Sequence, residues 1–175
     1  MDFRVWIITV TVAAIIKIFD IGGAAPYREL QLNGEWKFNT GYSASADSED
    51  MDDSSWYNIQ VPSAWEDQGF ADYDGIAWYR RSFEIPAGWK SAKGLAFDIG
   101  KIDDEDKVYF NGHLIGSSSG WKKWRKYNIP RSLVRFGEKN TIAIMVNDTG
   151  GNGGLWDGPV KIVTGLAERF NTEEY

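Results

Sequence analysis

The chain has 175 residues, which fits one domain of roughly 100 to 200 residues with a sizeable core and leaves no length for a second, catalytic domain. Its 43% hydrophobic and 25% charged residues are those of a globular protein, while 9 Trp, 8 Tyr and 9 Phe point to a β core or to a surface that grips rings. A formal charge of -6 opposes a phosphate backbone and disfavours nucleic acid as a partner; with no Cys, disulfides and thiolate metal sites are excluded, and the lone His113 leaves little for a His-based triad.

In chain order, the first signal is the apolar run Val5 to Ile16, the length of a secretory h-region but too short to span a bilayer, because Lys17 and Asp20 interrupt it. Small residues follow at Gly22 to Ala25. Residues 1–25 therefore read as an export signal cleaved near Ala24 or Ala25, which implies a secreted or periplasmic protein with no stable membrane span. An uncleaved anchor and a buried first strand are the alternatives.

Residues 30–165 read as an all-β domain: short apolar-alternating runs separated by Gly, Pro, Asp and Ser clusters, about eight segments closing into two stacked sheets. Glu35 to Asn39 places Trp36 and Phe38 on one face. Ala77 to Ile85 does the same with Tyr79, Phe83 and Ile85, as do Leu95, Phe97 and Ile99, and Ile142, Ile144 and Val146. Each alternation predicts a half-buried strand. Asn111-Gly112 between two strand-like runs predicts a type I′ hairpin, because that turn needs positive φ at both central residues. Asp47 to Asp53 reads as an acidic surface loop, and residues 166–175 as a polar tail.

Three blocks in order, Leu32-Asn33-Gly34-Glu35-Trp36-Lys37-Phe38 with Trp56 and Val61-Pro62-Ser63-Ala64-Trp65, then Gly75-Ile76-Ala77-Trp78-Tyr79-Arg80-Arg81-Ser82-Phe83, then Lys101-Ile102-Asp103-Asp104 leading to Val108-Tyr109-Phe110-Asn111-Gly112 and to Asn140-Thr141-Ile142, carry a family likeness. Together they resemble the N-terminal sugar-binding domain of glycoside hydrolase family 2, which includes β-galactosidases and β-glucuronidases. The resemblance implies a jelly-roll β-sandwich, galactose-binding domain-like, that accompanies a catalytic (β/α)₈ barrel carried elsewhere. The stretch Asp148 to Trp156 is more similar to the jelly roll inserted in bacterial sialate O-acetylesterases. In the β-galactosidases of the family, polar loop residues of this domain reach the active site of the barrel. Asp148 and Asp157 lie in the corresponding late loop, with no motif match to assign either a role.

Gly116-Ser117-Ser118-Ser119-Gly120 has the spelling of a nucleophile elbow, but that motif needs a strand-turn-helix setting and a His downstream, and His113 lies upstream. The segment reads as a flexible Ser-rich loop. In Asp103-Asp104-Glu105-Asp106, strand alternation sends neighbours to opposite faces, so at most two carboxylates could share a site. Clustered oxygens suit a hard cation such as calcium, but the run lacks the spacing and the Gly of an EF-hand loop, and the sequence assigns no metal. Gly150 to Gly154 lacks the Lys-Ser/Thr of a phosphate loop and reads as a wide turn between the last two strands. Asn147-Asp148-Thr149 spells a glycosylation sequon.

A pyranose has an apolar face and a rim of hydroxyls, so aromatic planes with adjacent polar side chains bind it. Trp65, Tyr73, Trp121, Trp124 and Trp156 fall in expected loops or strand ends, and Asp74, Arg125, Asp148, Asn152 and Asp157 lie near them. These ten are the candidate carbohydrate-binding residues; capping the core or packing on a neighbouring domain is the competing reading for each Trp. Trp36, Trp56 and Trp78 are assigned to the core. No catalytic residue and no cofactor is expected. The partners expected are a glycan and a glycoside hydrolase catalytic domain, the latter if the chain is the front end of a larger hydrolase or esterase.

Overall fold

The computed structural model describes residues 9–10, 14–19 and 27–165. Two antiparallel sheets face each other, and among the described residues helical structure is confined to three short 3-10 turns. One sheet is formed by β3 (Tyr27–Gln31), β7 (Leu95–Asp103), β10 (Trp124–Asn128), β12 (Gly154–Asp157) and β13 (Lys161–Thr164). Two short strands, β1 (Thr9–Val10) and β2 (Ala14–Phe19), extend it beyond β3. The other sheet has the order β5 (Tyr57–Val61), β4 (Gly34–Thr40), β6 (Gly75–Glu84), β11 (Lys139–Asp148), β8 (Glu105–Phe110), β9 (His113–Ser119). The chain crosses between sheets repeatedly, so sequence neighbours such as β6 and β7 lie in different layers, as in a jelly roll. The all-β sandwich read from the alternation is thus what the chain forms, with eleven strands between Tyr27 and Thr164 rather than about eight.

The core fills from the alternating residues of both inner faces. Trp36, Phe38, Tyr79, Ile142, Ile144 and Val146 meet Leu95, Phe97, Ile99 and Ile162. Trp36 stacks on Phe97 across the layers, with centroids 6.5 Å apart and planes at 21°. Phe38 sits opposite Tyr79 in the β4–β6 ladder and meets its ring edge-on at 4.8 Å.

The expectation of half-buried strands fails for the central ones. In β6, β7 and β11 both faces are covered: Ala77 to Arg80, Leu95 to Gly100 and Asn140 to Ile144 are buried throughout. On the outer face of β6 and β11 a second cluster forms from Ala46, Trp56, Trp78 and Ala143. Trp36 therefore belongs to the main core as expected, whereas Trp56 and Trp78 belong to this separate one. Arg80 draws the expected acidic loop over it. Its Nε donates to Asp53 Oδ2 at 2.9 Å, its Nη1 donates to the carbonyls of Ala46 and Ser48, and its guanidinium lies over Trp56. A buried cation with a carboxylate and carbonyls on every side is what lets an acidic loop cover apolar surface.

The hairpin at Asn111-Gly112 is as the dipeptide predicts: a two-residue loop joins β8 to β9, with φ of 47° and 80°. Asn111 does more, donating to Leu133 O and Asn140 Oδ1 and accepting from Thr141 N. The Ser-rich stretch is a correction. Ser117 to Ser119 are the end of β9, paired with Lys107, Asp106 and Glu105, and not a flexible loop. Polar side chains suit this edge strand, whose outer side has no partner strand among the described residues.

Of the segment expected to be a leader, the described residues form β1 and β2; the rest of it and the tail 166–175 lie outside the described residues. Among the described residues no helix is long and apolar enough to cross a membrane.

Candidate functional site

Four connections meet at one end of the sandwich: the one following β5, the β7–β8 junction, the β9–β10 loop and the β11–β12 loop. They enclose an open cleft of about 490 Å³. Trp121 and Trp156 stand on one side, with centroids 6.3 Å apart and planes inclined at 44°. Asn152, Asp67 and Asp103 supply polar groups, and Pro62, Ser63 and Ala64 supply the remaining wall. Trp121 is 48% exposed and Trp156 half-buried, and the Trp156 indole N–H has no protein acceptor. Lys122 lies over the Trp121 ring at 4.5 Å and Lys101 over Trp156 at 5.1 Å.

Three of the ten expected residues, Trp121, Asn152 and Trp156, line this cleft. Two are corrected outright. Trp65 is fully buried, its Nε1 donating to Tyr73 O at 3.1 Å and its ring packed on Phe38 and Tyr73, so it offers no face to a ligand. Arg125 is buried in an ion pair with Asp106 at 2.8 Å, both side chains being 0% exposed. Tyr73 is a brace, donating to Ile76 O and accepting from Gly41 N. Trp124 is 46% exposed and donates to Asp98 Oδ1, outside the cleft lining. Asp157 pairs with Lys101 at 2.8 Å, and Asp74 is exposed outside the lining.

Arg125 nevertheless shapes the cleft. Its Nη1 donates to Gly120 O and Lys123 O and its Nη2 to Asp104 O, so one guanidinium clamps both ends of the loop that carries Trp121. Tyr127 donates its hydroxyl to the other oxygen of Asp106. The β11–β12 loop is held from the opposite side. Gly153 N donates to the Glu66 carboxylate, Trp65 N donates to Gly153 O at 3.2 Å, and a Cβ on Gly153 would fall 2.1 Å from the Trp65 ring. Trp65 thus acts beneath the cleft wall.

The lining residues outside the ten expected are Pro62, Ser63, Ala64 and Asp67, together with Asp103, which the sequence offered only as part of an acidic run. Asp103 and Asp104 are neighbours that share a site, contrary to the alternation argument, because β7 ends at Asp103 and strand geometry stops there. Their carboxylate oxygens and one from Asp148 lie within 4.8 Å of one another. Burial, a hydrogen bond with Asp104 and the negative charges of Asp104 and Asp148 push the Asp103 carboxyl up to about 7. Thr149 donates its N–H and hydroxyl to Asp104 Oδ2 and holds that carboxyl below its ordinary range. Burial, reinforced by Asp104, Asp74 and Glu66, raises Asp148.

The molecule is a jelly-roll β-sandwich with an open cleft on one rim, and its buried Arg125–Asp106 pair is committed to bracing the loops of that rim. The chain belongs to the family described as the β-galactosidase second all-beta domain, whose model matches residues 32–152, and it is a domain of the glycoside hydrolase family 2 type. It is 29% identical over 134 residues to a β-glucuronidase of Bacteroides fragilis, covering 75% of this chain and 18% of that protein. It is 28% identical over 159 residues to a β-galactosidase of Arthrobacter sp. strain B7, covering 67% of this chain and 16% of that one. A solved β-glucuronidase of Bacteroides uniformis superposes with a TM-score of 0.71 at 26% identity, over 79% of this chain and 18% of the other. The chain thus spans less than a fifth of the length of these relatives.

Proposed function

We propose that this domain is a non-catalytic carbohydrate-recognition module, with the rim cleft as its saccharide site. The observation that carries the reading is the pair of inclined tryptophans, Trp121 and Trp156, opening onto Asn152, Asp103 and Asp67. Two indole faces suit the C–H faces of a sugar, and the amide and carboxylates match its hydroxyls. The apolar run at the N-terminus supports export, which N-terminal sequencing of the secreted form checks.

The test is calorimetric titration with galactosides, glucuronides and plant or algal polysaccharides. Binding to at least one class is expected, weakened about tenfold, or ~1.4 kcal/mol, by Trp121→Ala or Trp156→Ala. A flat response across the panel overturns the reading. The small share of its relatives' length that the chain covers supports a second reading, in which the same rim packs on a glycoside hydrolase catalytic domain. Under it, Trp121 is shielded from solvent quenching only when that domain is added.

A further inference from the structure

We infer that Asp103, Asp104 and Asp148 form a calcium site that joins the β7–β8 junction to the end of β11 beside the cleft. The three carboxylate oxygens lie within 4.8 Å of one another, the separation two oxygens reach on one Ca²⁺ at roughly 2.3 to 2.6 Å per bond. Magnesium, with bonds of roughly 2.0 to 2.1 Å and a demand for octahedral geometry, fits a tighter cluster.

The state of Asp148 separates this cluster from an ordinary acidic patch. Asp148 is only 2% exposed; its Oδ1 accepts from Gly150 N, while its Oδ2 is buried and has no protein partner. A carboxylate oxygen taken from water without a donor is costly, and a cation shared with two neighbouring carboxylates supplies what it lacks. The nearby guanidinium of Arg125 does not fill that role. It is committed to Asp106 and to the carbonyls of Gly120, Lys123 and Asp104. The donor set is all oxygen, which selects a hard cation over zinc or copper.

Such an ion would tie two connections that both border the cleft. Asp103 lines it directly, and Asp148 immediately precedes the loop carrying Asn152. The site stands on these carboxylates alone and does not depend on the cleft holding a saccharide.

The test is calorimetric titration of chelator-treated full chain with CaCl₂ and, separately, MgCl₂, with thermal melting alongside. One saturable calcium site per chain is expected, with a dissociation constant of about 1 mM or tighter, together with a raised melting temperature. Asp148→Asn and Asp103→Asn should each weaken calcium binding at least about tenfold, one decade of affinity, while Glu138→Gln leaves it unchanged. Circular dichroism verifies that each variant folds, and Asp103→Asn carries the test if Asp148→Asn does not. No saturable binding by the unsubstituted chain, undiminished binding in the folded variants, or tighter binding of magnesium than calcium would each overturn the assignment.

Discussion

Arg125 shows how a residue near the cleft serves it without touching a ligand. Its side chain and that of Asp106 are fully buried, and removing one partner leaves the other charged in the interior. Arg125→Ala should therefore lower stability by about 3 to 5 kcal/mol in urea unfolding. Replacing both members with apolar residues should recover only part of that, because the Gly120, Lys123 and Asp104 carbonyls also lose their donor. Gly153 offers a contrasting case set by space. Its missing Cβ is where the Trp65 ring lies, so Gly153→Ala should cost about 1 to 3 kcal/mol through overpacking. Gly88→Ala, with nothing within 4 Å of the added methyl, should stay within about 0.5 kcal/mol in the same assay.

At the scale of elements, the β3–β13 ladder is fastened by charge as well as by backbone pairing. Lys161 Nζ lies 2.9 Å from Glu29 Oε2, across strands paired Lys161 to Gln31 and Val163 to Glu29. Burial alone would raise the Glu29 carboxyl, but the hydrogen bond and charge of Lys161 outweigh it and hold Glu29 below its ordinary 4.5. A depressed carboxyl contributes stability that is complete above its unfolded pKa and disappears as pH falls through its folded one. Melting temperatures should therefore fall on acidification below pH 4.5, and Glu29→Gln should flatten that part of the profile. Lys161 is raised despite its burial, through its bond to Glu29, so its contribution is present at neutral pH and is lost only at strongly alkaline pH. The motif blocks also operate at this scale. Arg81 donates to the Leu32 and Asn33 carbonyls, and Trp36 Nε1 to Leu32 O, so one strand's arginine fixes the start of another.

For the molecule as a whole, two stacked sheets were legible in the sequence because the inner faces of β4, β6, β7 and β11 carry large apolar side chains at every second position, even though the outer faces of β6, β7 and β11 are covered as well. The hairpin at Asn111-Gly112 was legible for an equally local reason, the backbone freedom of that dipeptide. The cleft was legible only in part. Trp121, Asn152 and Trp156 lie in it, but Trp65, which reads much the same in sequence, turns into the core, and Arg125 is consumed by Asp106. Whether a loop tryptophan faces water depends on what folds over it from residues far along the chain, here Gly153 against Trp65. The same holds for the carboxylates: alternation separated Asp103 from Asp104, while the end of β7 and the return of β11 brought both to Asp148. Local pattern, acting through burial and backbone geometry, determined the strands, the turn and the family. Which side chains meet at the rim was decided by the crossing of chain between two layers, since a site assembled from four separate connections has no period of its own to read.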